Sequence, residues 1–295
     1  MIRESLRIVC PNQKVRFPIS KVNPLKWIEL IKENQLVFDV DGFIIDRYKK
    51  PSGNFSRFEI DSRDPNDLEK NDLIEEIINY FPHKIKGNIV FSNILNSGHW
   101  VIVTIKDFPK GYEQNCRGIL SLNFQLIDNR IILKSKKFLT LNQMEQGIKK
   151  LRKMSFSKVK PLKSAPSHLS CYLNNQTLNP FPGDLDGIVI RDNIIQSLIE
   201  FKTHNIDSPI EDENIGKYGP QDWRRFNVLY SLQEEIYKVQ NVKPKLFYIA
   251  WGTKDIPNHE NIKIDLIGKN EVIKTKILKR PIFGEFSIEL FNEIS

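Results

Sequence analysis

Cysteine is scarce in this chain: Cys10, Cys116 and Cys171 are its three thiols in 295 residues. Their spacing matches no zinc motif, and three are too few for a four-cysteine iron–sulfur cluster. They are far apart and show no pairing pattern, which points to a reducing compartment. No apolar run is long enough to span a bilayer, and the opening Met1-Ile2-Arg3-Glu4-Ser5 holds no signal core. A cytoplasmic protein without a membrane partner is therefore expected. No Gly-Lys-Ser/Thr phosphate loop is present, which argues against an intrinsic ATP motor. Internal repeats and low-complexity segments are also missing.

What is present is ordinary for a folded protein, with 40% hydrophobic and 27% charged residues. The formal net charge of +8 favours a polyanionic partner. The excess is concentrated between Arg130 and Lys163, where Glu145 is the single acid among many lysines and arginines. Lys149, Lys150, Arg152 and Lys153 form the densest part, a candidate strip for nucleic-acid phosphates.

The most informative stretch is Gly183-Asp184-Leu185-Asp186-Gly187-Ile188-Val189-Ile190, followed by Ile199-Glu200-Phe201-Lys202. It reads as two adjacent strands with a largely apolar surround. The side-chain period of a strand is two, so Glu200 and Lys202 share one face. Charges among buried strands are costly unless a metal or a reaction uses them. Two carboxylates and a lysine at a strand end can hold a divalent metal and activate water.

These residues resemble the motif of the PD-(D/E)xK nuclease superfamily, in its RecB-like form. The resemblance covers roughly residues 140–255. It implies a restriction-endonuclease-like αβββαβ core, a mixed sheet flanked by helices. It also implies that Asp186 and Glu200 bind Mg²⁺ or Mn²⁺, that the Phe201 backbone carbonyl adds an oxygen ligand, and that Lys202 positions the attacking water. The usual Pro-Asp pair is replaced by Pro182-Gly183-Asp184. Asp184 and Asp186 are thus both candidates for the first ligand. Asp186 is preferred because it directly precedes the strand run.

Geometry sets a condition on this reading. Asp192-Asn193 suits a tight turn between the strands. A strict two-residue loop would pair Asp186 with Ile199 and send Glu200 to the other face. A shared metal therefore requires a three- or five-residue connection, or a β-bulge.

Around the motif, the pattern predicts a helix over 141–154, a short strand over 168–173, a helix from Pro220 and a buried strand over 246–251. Other candidates accompany the main three. Glu145 is a candidate helix carboxylate, His204 shares the Lys202 face, and Arg225 is a candidate phosphate contact on the Pro220 helix. In related nucleases that helix often carries Gln with Tyr four positions on; here Phe226 precedes Tyr230.

Residues 1–138 read as an α+β module for recognition, partner binding or dimerisation, and 139–295 as the nuclease-like domain. Asn23-Pro24 and Asp64-Pro65 look like helix starts. Strands are expected over 36–48, 55–60, 89–91, 100–105 and 119–126, with a hairpin at Asp128-Asn129. Leu36 to Gly42 also resembles the first motif of haloacid-dehalogenase-type phosphatases, with Asp39 as nucleophile and Asp41 as acid/base. That chemistry requires Asp39 at the carboxyl end of a central parallel strand.

The sequence expectation is a Mg²⁺-dependent phosphodiesterase, a DNA endonuclease of restriction, defence or repair type. The alternative is a catalytically inactive nucleic-acid-binding protein that keeps the fold.

Overall fold

The computed structural model describes residues 1–4, 7–17, 20, 22–28, 35–70, 72–159, 161–215, 217 and 220–281, without the side chains of 220–222 and 224. Along the chain run β1 (Ile2–Glu4), β2 (Ile8–Val9), β3 (Gln35–Val40), β4 (Gly42–Ile45), β5 (Pro51–Ile60), α1 (Asp72–Tyr80) and α2 (Pro82–Ile94). They are followed by β6 (Gly98–Ile105), β7 (Ile119–Ile127), β8 (Arg130–Leu139), α3 (Leu141–Arg152), β9 (Ser164–Ala165) and α4 (His168–Gln176). The last elements are β10 (Leu185–Arg191), β11 (Ile194–His204), α5 (Pro220–Gln240), β12 (Lys245–Gly252), β13 (Asn261–Gly268) and β14 (Glu271–Lys279). The class is mixed α+β. No helix among the described residues is long and apolar enough to cross a membrane.

The chain divides into two compact units, Met1–Ile19 with Val40–Asp184, and Ser20–Asp39 with Leu185–Ser295. The expected boundary at 138/139 falls inside the first unit. Helix α3, read as part of the nuclease domain, belongs to that unit too. The second unit takes an amino-terminal segment because β3 is hydrogen-bonded beside β10. Such long-range pairing leaves no local sequence signal.

In the first unit the strands run β1-β5-β6-β7-β8, with β4 also paired to β5. Strands β5 and β6 are parallel, so α1 and α2 make the crossover between them. The hairpin β7–β8 turns at Asp128 and Asn129, whose φ angles of 48° and 64° suit a two-residue primed turn. Helix α2 replaces the strand expected over 89–91. Its buried side includes Lys84, Asn88 and Ser92, four residues apart, next to Ile85 and Ile89. Polar residues on the buried stripe erase the helical hydrophobic period. They are satisfied internally: Asn54 donates to Asn88 Oδ1 at 2.8 Å, and Ser92 donates to Asn54 Oδ1 at 2.5 Å. The strand expected over 168–173 is likewise a helix, α4. Ser167 caps it by accepting from the Ser170 N–H at 3.1 Å.

The cysteine reading also needs correction. Cys10 and Cys171 form a disulfide across 161 residues, and Cys116 is free. Strands β2 and β9 pair beside it, and Cys10 N–H donates to Lys163 O, which brings the two thiols together. The inference from unpaired cysteines to a reducing compartment is withdrawn with it.

Between α2 and the sheet lies His99, 3% exposed, with Nε2 3.1 Å from Ser56 Oγ. Burial pushes its pKa down to about 3 from 6.5, and Asp41 only partly opposes this. The unfolded chain protonates this imidazole below pH 6.5 while the folded chain does not until about pH 3. Acidification across that window therefore destabilises the fold, by about 3 kcal/mol at pH 4. Urea melts at pH 7 and pH 4 should show His99→Gln losing less stability than wild type over the same interval.

In the second unit the order is β14-β13-β12-β11-β10-β3. Strands β11 and β12 are parallel and joined through α5, and the pairs β10–β11, β12–β13 and β13–β14 are antiparallel. One sheet face carries Val189, Ile199, Phe247, Ile249, Ile262 and Ile264, packed with Trp27 and Ile28. Trp27 meets Trp251 edge to face at 5.4 Å. The opposite face bears the charged residues of the motif.

Candidate functional site

Asp192 and Asn193 do form a two-residue turn, with φ of 51° and 59°. The register runs Arg191↔Ile194 and Ile190↔Ile195, then Val189↔Ser197, Ile188↔Leu198 and Gly187↔Ile199. Gln196 is thus an extra residue, a β-bulge on β11. Continued by one residue, this register sets Asp186 opposite Glu200. The condition drawn from the sequence is met by the bulge. Without it the two carboxylates would lie on opposite faces.

Asp186 Oδ2 accepts the Phe201 N–H at 2.8 Å, so this carboxylate lies against the peptide that joins Glu200 to Phe201. Asp186, Glu200 and Lys202 are each half-buried, reachable from solvent but set into the sheet. Arg225, from the first half of α5, holds Glu200 at two points. Its Nη2 donates to Oε2 at 2.7 Å, and its Nε faces Oε1. Arg225 is therefore a counter-cation of the Glu-X-Lys carboxylate.

Across the sheet, pairing sets Tyr248 beside Glu200, Asp265 beside Tyr248 and Thr275 beside Asp265. The next row pairs Lys202 with Ala250 and Ala250 with Lys263. Asp265 is fully buried, accepts from Thr275 at 2.6 Å and lies 3.7 Å from Lys263 Nζ. Burial raises its pKa, against the pull of Thr275 and Lys263. These residues were missed in the sequence reading. The signal was there, in the alternation Ile262-Lys263-Ile264-Asp265.

His204 does share the Lys202 strand face but is buried in a polar cluster. Its Nδ1 is 2.7 Å from Glu213 Oε2 and its Nε2 is 2.9 Å from Ser208 O. Tyr248 OH reaches Glu213 Oε1 at 3.4 Å, and Lys263 donates to Glu213 O at 2.5 Å. Glu213 is fully buried by these contacts, while its neighbours Glu211 and Asp212 are exposed. His204 anchors the 207–215 segment to the sheet.

The remaining nuclease candidates lie in the first unit. Asp184 pairs with Arg7 at 3.6 Å, and Glu145 accepts from Asn179 at 2.9 Å. Lys149 and Lys150 are exposed on α3, and Lys153 is paired to Asp46 at 2.7 Å. Arg152 is turned inward. It is 8% exposed, donates to Pro180 O at 3.0 Å, and burial lowers its pKa to about 10. It does not belong to an exposed phosphate strip. Asp39 lies on β3, the terminal strand of its sheet, and Asp41 falls in the other unit, where it accepts the Arg57 N–H and pairs with Lys84. This is not the central-strand placement that the phosphatase reading requires.

The described residues hold no cluster of three or more His, Cys, Asp or Glu side chains that could bind a metal. The register of the hairpin sets two carboxylates, Asp186 and Glu200, opposite each other. Both offer hard oxygens, of the kind Mg²⁺ prefers, and Mg²⁺ keeps several waters of its own. For them to hold a cation, Arg225 must release a Glu200 oxygen. Arg225→Gln is expected to cost about 1 kcal/mol of stability, as for a partly exposed ion pair. It should also gain more thermal stability than wild type when millimolar MgCl₂ is added. Melting curves with and without MgCl₂ test this, and equal Mg²⁺ responses would contradict it.

No family model and no curated protein matches this chain. A solved structure, that of the sex pheromone staph-cAM373 precursor, aligns at 9% identity over 78% of this chain and 71% of that one, with a TM-score of 0.17. A likeness of that size carries no argument about fold or function.

Proposed function

We propose that this chain is a metal-dependent nuclease of the PD-(D/E)xK type, acting on DNA. The observation that carries the reading is the bulge at Gln196, which sets Asp186 opposite Glu200 with Lys202 two residues on. The order β3-β10-β11-β12, with β11 and β12 parallel across α5, supports a restriction-endonuclease-like core. In that reading most of the first unit, Val40–Asp184, is inserted between β3 and β10, and Met1–Ile19 joins it from ahead of β3.

Asp186, Glu200 and the Phe201 carbonyl would hold Mg²⁺ or Mn²⁺. Bound there, the cation supplies positive charge to the phosphate and lowers the pKa of water. The Lys202 ammonium, on the Glu200 face, orients the attacking water and offsets the charge that develops on the phosphoryl oxygens. Arg225 neutralises Glu200 in the absence of metal. Once displaced, it is placed to contact the substrate phosphate.

The runner-up, a nucleic-acid-binding protein without activity, draws its support from the same arginine, which engages both Glu200 oxygens. The deciding experiment is a cleavage panel of single-stranded, double-stranded and branched DNA and RNA, with Mg²⁺, Mn²⁺ or chelator, run beside Glu200→Gln. Metal-dependent cleavage lost in the variant supports the nuclease. Binding without cleavage of any strand type supports the runner-up.

A further inference from the structure

We infer that the first unit carries a second site, a cleft between α3 and the β5–β8 face that binds a phosphate-bearing nucleobase. The inference is independent of the hairpin site and of the nuclease reading.

The cleft has a volume of about 490 Å³, within the range of small-molecule sites. Phe55, Trp100 and Ile102 line it from the sheet, and Met144, Ile148 and Leu151 from α3. Trp100 is the principal feature. Its benzo ring occupies the space that side chains at Gly53 and Gly98 would need. A Cβ on Gly98 would lie 2.2 Å from Trp100 Cη2, and one on Gly53 would lie 2.6 Å from Cζ3. These glycines face each other on neighbouring strands, and glycine inside a strand weakens it. Together they seat an indole against the sheet, with Phe55 stacked beside it at 5.6 Å and 29°. Trp100 remains partly exposed.

Gly147 lines the same cleft from the middle of α3. Apart from its chain neighbours and the helix's own backbone, no atom lies within 4 Å of the position its Cβ would take, so packing does not demand glycine there. Glycine in a helix interior costs about 1 kcal/mol relative to alanine. Its effect here is to keep the wall of the cleft open.

The charge around the cleft is of one sign. Lys137, Lys150 and Lys153 line it, and no acidic residue does. Lys153 is paired to Asp46, whereas Lys137 and Lys150 are exposed and engage no carboxylate among the described residues. Apolar walls with lysines at the mouth select an anion with an apolar body. An indole braced by glycines favours a flat ring that stacks over an aliphatic chain. Ser52 and Ser121 also line the cleft; the Ser52 hydroxyl donates to Ile44 O at 3.4 Å and keeps its lone pairs for a ring-edge donor. A free mononucleotide and an unstacked base of a strand both carry this chemistry.

The test is calorimetric titration of the full chain with AMP, UMP, a short oligothymidylate and, as an aliphatic anion, laurate. The variants are Gly147→Leu, which fills the cleft from an open position, and Lys137→Gln/Lys150→Gln. Thermal melts confirm that both are folded. Mononucleotide binding that falls at least tenfold in Gly147→Leu, and severalfold in the lysine variant, supports a free-nucleotide site. Binding of the oligothymidylate alone, weakened by the same variants, supports capture of a base from a strand. The inference is overturned if none of the nucleotides binds, if they bind Gly147→Leu as tightly as wild type, or if laurate alone is bound.

Discussion

Lys202→Ala is expected to lower metal-dependent cleavage by about a hundredfold or more while leaving nucleic-acid binding within a few-fold of wild type. The magnitude is typical of removing a group that acts on charge developing in the transition state. The loss should appear in kcat rather than KM, because Lys202 is assigned to the reacting water and phosphoryl oxygens and not to substrate anchoring. Lys202→Arg keeps the charge but not the compact ammonium, so it should restore little. Single-turnover cleavage with filter binding on the same samples checks both halves. A Lys202→Ala protein that cuts at the wild-type rate would remove the lysine from the mechanism. One that no longer binds would make it an anchor instead.

The second large effect concerns stability. The Cys10–Cys171 bridge closes 161 residues, with both cysteines almost fully buried. Chain-entropy reasoning gives about 5 kcal/mol for a loop of this size as an upper figure, and measured losses typically run about 2–5 kcal/mol. Cys10→Ala/Cys171→Ala should therefore shift the urea midpoint strongly toward lower denaturant, and reductant should do the same to wild type. Thiol titration of the unreduced, unfolded protein should count one thiol, Cys116. Three thiols would show the bridge does not form.

The strands and caps written in local chemistry were legible in the sequence. Asp128-Asn129 and Asp192-Asn193 both turn hairpins, and Asn23 and Asp64 each cap a short helical turn ahead of a proline. The hairpin carrying Asp186 and Glu200 was legible as needing either a longer connection or a bulge, and the structure takes the bulge because Asp192-Asn193 makes a two-residue turn. What was lost depends on partners distant in sequence. The polar stripe of α2 is satisfied by Asn54, over thirty positions away. Strand β3 joins β10 across the long Val40–Asp184 part of the first unit. The Cys10–Cys171 contact sits beside the pairing of β2 with β9, strands far apart in sequence. The contact between His204 and Glu213, both buried, could not be read from their neighbours in sequence.

The most direct measurement is calorimetric titration of Mn²⁺ into wild type, Asp186→Asn and Glu200→Gln. Two carboxylates converging on one cation predict a single stoichiometric site in wild type that each substitution alone removes. A wild type that takes up no Mn²⁺, or variants that bind it as well as wild type does, would contradict the account.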